Sequence, residues 1–196
     1  MTAVINLREF KEQRAASTLV LVDMHADPSA LEGEPCSAEL LEAIGNCRTA
    51  LRHARALGLP VAFTRQLNLP KTLWATPNCP HWIKGFEPTR VDMVFDRQMP
   101  SCYSSMEFAE MADRMEGSYV IAGLFGEGAC LSTAIDAFHR DHRITFLADA
   151  SVSRARRDVS ALTMHKAVSG IMSLYAQVGG TQPWIHATSP RIGASR

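Results

Sequence analysis

Residues 119–134 read YVIAGLFGEGACLSTA. An apolar, partly β-branched run leads into Gly123, Gly126 and Gly128, and the segment from Ala129 and Cys130 onward has helical composition. A strand that passes through a glycine-rich turn straight into a helix is the unit of a parallel α/β sheet, whose strands need crossovers. Ligands of open α/β sheets bind outside the carboxyl ends of the strands, where free N–H groups at a helix start can hold an anion. A cysteine in that turn is a candidate nucleophile. The chemistry then depends on whether side chain 129 or 130 faces the ligand. Neighbouring α-helical positions differ by roughly 100° in direction, at about 3.6 residues per turn.

Working outward, Ser17–Asp23 (STLVLVD) is a continuous apolar run of the kind that forms a buried parallel strand. Helical spacing of Leu40, Leu41, Ile44, Cys47, Leu51 and Ala54 predicts a helix over Ser37–Leu57, ended by Gly58. Leu59–Gln66, Val91–Asp96, Ser118–Gly123 and Arg143–Asp149 read as further strands. Ser104 and Glu107 form a capping-box pattern for a helix reaching Met115. Helices are expected over Glu127–His142 and from about Asp158 to Gln177, the latter closed by Gly179 and Gly180. Asn68–Pro88 holds four prolines with Trp74 and Trp82, so it reads as a long loop, either a lid or a segment that packs its tryptophans on the sheet. The expected organisation is a leader over residues 1–16, one α/β domain over 17–180, and an irregular tail over 181–196 with Pro183 and Pro190. The fold class is a doubly wound, mostly parallel sheet with helices on both faces.

The 196 residues suffice for one domain with a sizeable core. Lys+Arg and Asp+Glu both number 20, which argues against nucleic acid or an anionic membrane as partner and tolerates self-association. A small molecule is therefore the expected partner. Cys36, Cys47, Cys79, Cys102 and Cys130 are scattered and odd in number, without a C-x-x-C pair, so a reducing, cytoplasmic setting is expected. Charges interrupt the N-terminus where a signal peptide needs its apolar core, and no apolar run is long enough to span a bilayer. The glycines of the 123–128 turn lack G-x-G-x-x-G spacing, so no dinucleotide or other cofactor is expected.

The strands end on chemistry: Asp23 at the first, Gln66 at the second, Arg97 after the third and the 124–130 turn after the fourth. In a parallel sheet these ends share one edge. Each residue alone also has a structural reading, Asp23 as a cap and Arg97 as a partner of Asp96 or Glu107.

The set VLVDMHAD (20–27), FTRQ (63–66), VFDRQMPSCY (94–103), AGLFGEGACLSTAIDAF (122–138) and FLADAS (146–151) resembles the isochorismatase-like superfamily, which includes the cysteine hydrolases. The resemblance covers roughly residues 17–180 and implies a six-stranded parallel sheet in a three-layer αβα sandwich. In the family's amidases a strand-end Asp, a Lys and a Cys are catalytic. Asp23 matches the Asp, the Lys position falls on Arg97, and the Cys position falls on Ala129. True isochorismatases carry a glycine there followed by a cysteine, which Ala129-Cys130 resembles, and a glutamine that Gln66 matches.

The resemblance thus implies a hydrolase of a small anionic substrate, without a thiol nucleophile. It also implies a homo-oligomer, dimer or tetramer. Asp23 would be general acid/base for vinyl-ether hydrolysis, and Arg97 would hold the substrate's carboxylate. Gln66, Phe125, Gly126, Ala129, Trp74 and Trp82 would line the pocket. Two alternatives stay open: an amide hydrolase using Cys130, and a non-catalytic small-molecule-binding protein on this fold. Nicotinamidase-like members carry an Asp/His metal site, but His53 lies inside a helix here and no D-x-H cluster follows, so no metal is expected. His25, two residues after Asp23, reads as a capping or surface histidine. His139 and His142 sit at a helix end. Arg154, Arg156 and Arg157 read as a solvated connection, with an anion clamp as the other reading.

Overall fold

The computed structural model describes residues 18–25, 38–67 and 81–190. The expected leader over 1–16, most of the proline-rich loop including Trp74, Cys36, Cys79 and residues 191–196 lie outside the described residues.

Six strands form one parallel sheet in the order β3-β2-β1-β4-β5-β6. They are β1 (Thr18–Val22), β2 (Val61–Gln66), β3 (Met93–Arg97), β4 (Ser118–Leu124), β5 (Arg143–Val152) and β6 (Gln177–Gly179). The helices are α1 (Ala38–Ala56), α2 (Met106–Arg114), α3 (Leu131–His139), α4 (Ala161–Met172) and α5 (Thr181–Thr188). The chain steps outward from β1 to β3, then returns to β4 on the other side of β1. That reversal makes the gap between the ends of β1 and β4 the place where an open sheet accepts a ligand.

Alternation along β1 explains its unbroken apolar sequence. Leu19 and Leu21 face α1 and α5, in a core with Ile44, Leu51, Phe63 and Trp184. Val20 and Val22 face the other layer, with Phe108 of α2, Ala134 of α3 and Met172 of α4. A strand buried on both faces has no polar side to show.

Several boundaries differ from the sequence reading. The third strand begins at Met93 and takes in Arg97 as its last residue, whereas the apolar pattern had placed Arg97 beyond it. Ser105, not Ser104, caps α2: its Oγ accepts from Phe108 N and donates to Glu107. The helix expected over Glu127–His142 opens instead with a π-helical turn at Gly126–Cys130, in which Leu131 N reaches back to Gly126 O, and α3 stops at His139. The last long helix ends at Met172, because Gly179 is used in β6 against Leu147, a strand too short and too glycine-rich to read as one. The tail expected to be irregular over 181–196 carries α5 over Thr181–Thr188. Pro183 falls in its first turn, where a missing N–H costs nothing. Asp149 starts that helix by accepting from both Thr181 N and Thr181 Oγ1.

The feature that matters most for the site is in β5. Its pairing with β4 runs to Ile121↔Phe146, shifts, and resumes at Gly123↔Ser151 and Leu124↔Val152. Carbonyls freed by this irregularity are met by α1: Asn46 Nδ2 donates to Asp149 O at 2.7 Å and Cys47 Sγ to Ala150 O at 3.0 Å. The bulged strand thereby carries Ser151–Arg154 alongside the turn that follows β4.

Candidate active site

Asp23 follows β1 in a left-handed conformation, φ +53°. That region is unfavourable for residues with a Cβ, though Asp tolerates it better than most. Its N–H still donates to Thr64 O at 2.9 Å, so the β1–β2 ladder runs up to the residue whose side chain leaves it. Beside it, Gly123 adopts φ +123° against Val22, and a Cβ there would run into the Val22 carbonyl. The close approach of β1 and β4 at this level therefore requires glycine.

The carboxylate of Asp23 is held from three sides. Gln66 N donates to Oδ1 at 3.1 Å, His25 Nε2 lies 3.2 Å from Oδ1, and Arg97 Nη2 donates to Oδ2. Gln66 and Arg97 are register partners at the ends of β2 and β3, so the ladder itself delivers both. Arg97 Nη1 also donates to Gln66 Oε1 at 3.1 Å and to Met99 O at 2.8 Å, while Gln66 Nε2 donates to Gln98 O at 3.3 Å. The Arg97 side chain has 0% exposure. This corrects the role that sequence gave Arg97. A guanidinium with no accessible surface, both Nη atoms bonded within the protein, is not placed to clamp a substrate's carboxylate; its Nη2 is taken by Asp23.

On the β4 side, Phe125 is buried, and Gly126 is packed with Ser151 and Ser153 of the β5 end next to it. Ala129 is 6% exposed. The sulfur of Cys130 has no exposure and sits in the apolar cluster with Val22, Cys102 and Phe108. Burial pushes its thiol pKa well above the ordinary cysteine value, and Cys102 and the Asp23 charge push the same way. Among the described residues it makes no hydrogen bond to Asp23. A thiolate nucleophile needs the opposite surroundings.

Of the two tryptophans, Trp74 is outside the described residues. Trp82 is half-buried, presents its ring edge-on to His25 at 6.0 Å and to Phe63 at 5.4 Å, and has Arg65 over its face. His25 corrects the expectation of a surface histidine. It is 9% exposed, and its Nδ1 is buried without a hydrogen-bond partner. Its place two residues after Asp23 was the available signal, and the turn after β1 folds residue 25 back onto residue 23.

Sequence also undervalued Arg154. Its guanidinium lies over the Phe125 ring, 3.7 Å from the centroid, while its backbone N–H donates to Glu127 Oε1 at 3.3 Å. Cys102 went unnoticed as well: its thiol is 3.4 Å from Thr64 Oγ1 and buried, with its pKa raised by desolvation. His142 is more than a helix-end charge, since Nδ1 lies 2.6 Å from Tyr103 Oη, which in turn accepts from Tyr119 Oη at 3.0 Å.

The carboxylate, guanidinium and amide of Asp23, Arg97 and Gln66 thus form one connected group at the switch point of the sheet. A family model described as the isochorismatase domain matches residues 17–175. Among solved structures, an isochorismatase from Pseudomonas putida is similar at 22% identity and a TM-score of 0.72, with 93% of this chain and 98% of that chain covered. A cysteine hydrolase from Pseudomonas syringae is similar at 18% identity and a TM-score of 0.74, covering 88% and 92% of the two chains. An N-carbamoylsarcosine amidase from Thermoplasma acidophilum is similar at 23% identity and a TM-score of 0.62, covering 84% and 95%. At these identities the likeness to solved structures shows the fold. No curated protein matches the sequence.

Proposed function

The chain belongs to the isochorismatase family, and on that premise we propose that this hydrolase acts on a small anionic substrate without a thiol nucleophile, with Asp23 as general acid/base. The observation that carries the reading is the contrast between the two candidate groups. The Asp23 carboxylate is 18% exposed at the switch point, while the Cys130 thiol is wholly enclosed among apolar side chains.

Vinyl-ether hydrolysis fits such a site because it needs no covalent intermediate. A proton passes from the Asp23 carboxyl to the alkene carbon, whose π pair forms the new C–H bond. Water then adds to the resulting oxocarbenium carbon and returns a proton to Asp23. The hemiketal left behind breaks its C–O bond to the leaving alcohol and becomes a ketone. Arg97, Gln66 N–H and His25 hold the Asp23 carboxyl group in one orientation as it gives up and regains the proton. Ala129, at the position where the family's amidases carry their cysteine, has no group that could act as a nucleophile. We place this chemistry in a reducing, cytoplasmic setting, which the scattered, odd-numbered cysteines of the sequence favour. Among the described residues no helix is long and apolar enough to cross a membrane.

Substitution separates the readings. Asp23→Asn should lower kcat by roughly 100-fold or more, the range of a positioned acid or base, and Cys130→Ser should leave turnover within a few-fold. Full turnover in the Asn variant, or loss confined to the Ser variant, would overturn the proposal.

A further inference from the structure

With Arg97 enclosed and bonded to Asp23, Gln66 and Met99, the site needs another cation if its substrate is anionic. We infer that Arg154, whose guanidinium lies over the Phe125 ring beside the β4 turn, is the residue that selects a carboxylate-bearing substrate. This rests on the reading of Asp23 as the reacting group.

The placement follows from the sheet. Leu124 and Val152 are register partners, so the residues after them, Phe125 on one strand and Ser153–Arg154 on the other, leave the sheet side by side. Phe125 opens the Gly126–Cys130 turn, and β4 is the direct neighbour of β1, which ends at Asp23. Arg154 is exposed, unlike Arg97. Its guanidinium stacks 3.7 Å from the Phe125 centroid and forms no ion pair within 4.0 Å among the described residues. Glu127, the nearest acid, instead receives the Arg154 backbone N–H and has Arg156 Nη2 at 3.9 Å.

A guanidinium held over an aromatic ring is restrained by the cation–π attraction, which leaves its N–H groups free to donate. That fork matches both oxygens of a carboxylate, which a lysine at the same place could meet only as a point charge. β1 and β4 stay in register up to Val22↔Gly123, so Asp23 leaves the sheet beside the turn that Phe125 opens, and an anion held by Arg154 over Phe125 would have the rest of a small molecule on the Asp23 side of the edge. The charged groups around it are Glu127 of the turn, Arg156 of the same connection and Asp23 of the β1 end.

Titration calorimetry with two matched pairs, benzoate against benzamide and pyruvate against pyruvamide, tests the assignment on wild type, Arg154→Gln, Arg154→Lys and Asp23→Asn. In wild type at least one acid should bind about tenfold or more tightly than its amide, as one charge-assisted pair provides. Arg154→Gln should erase that preference, Arg154→Lys should keep part of it, and Asp23→Asn should keep the preference although turnover is lost. Arg154 is exposed, so its variants should melt within a few degrees of wild type, which confirms that a lost preference is not unfolding. An acid preference that survives Arg154→Gln, or a wild type with none, would overturn the assignment. Turnover that ignores Asp23 would instead sink the mechanism on which it rests.

Discussion

Arg97→Met is the sharpest probe of how the site is held together. Methionine keeps most of the apolar stem and removes the charge. Three acceptors lose a donor: Asp23 Oδ2, Gln66 Oε1 and Met99 O. Met99 is 63% exposed and Gln66 only half-buried, so water can replace the guanidinium at both. The cost falls on Asp23, whose carboxylate is 18% exposed and keeps Gln66 N–H and His25. Breaking a buried ion pair typically costs about 3–5 kcal/mol, and the partial exposure of Asp23 puts this one near the lower end, about 3 kcal/mol. For a chain of this size that is a fall in Tm of roughly 6–12 °C. Neutralising the orphaned acid should recover part of it, so the Asp23→Asn, Arg97→Met double variant should be about 1–2 kcal/mol more stable than Arg97→Met alone. Urea unfolding of the four proteins of this cycle provides the numbers. A loss under about 1 kcal/mol in Arg97→Met would mean that the pair behaves as an exposed one and that Arg97 does not fix Asp23.

Two further expectations concern groups enclosed by the fold. Iodoacetamide at pH 8 should leave the Cys47, Cys102 and Cys130 thiols of the folded protein unmodified and label them once urea is added, because each is buried with a raised pKa; rapid labelling of Cys130 in the native protein, read by mass spectrometry, would count against its enclosure. Stability should be lost in alkali. Burial raises Cys47 from 9.0 to about 12 and Tyr103 from 10.0 to about 12, so the unfolded chain releases these protons before the folded one does. Stability is therefore intact below pH 9 and declines as pH rises toward 12, by on the order of a few kcal/mol for Cys47 alone. Cys47→Ala should flatten that decline in melting curves taken from pH 8 to 11, and an unchanged slope would refute the assignment to this thiol.

Much of the architecture was open to reading because burial on two faces leaves a strong local trace. The STLVLVD run, the spacing from Leu40 to Ala54 and the apolar 118–123 segment are each produced by one element meeting one core. β6 left no such trace: it has three residues, two of them not apolar, and exists only because β5 offers it an edge. The cap of α2 moved by one residue for a similar reason, since two adjacent serines are equivalent until the preceding turn decides which hydroxyl meets Phe108 N.

At the site, residue types and strand ends were legible while commitments were not. Asp23, Gln66 and Arg97 could be named from their positions along the chain, because parallel strands must finish on the same edge. That both Nη atoms of Arg97 bond within the protein, that His25 turns back onto Asp23, and that Arg154 lies on Phe125 all depend on register across strands far apart in sequence. The β5 irregularity that brings Arg154 there is held by Asn46 and Cys47 of α1, about a hundred residues away. Local composition determined the central strands of the sheet and the chemistry gathered on one edge. The partner each charged group takes was settled only by tertiary structure, since a hydrogen bond is won by whichever acceptor the folded chain brings within about 3 Å.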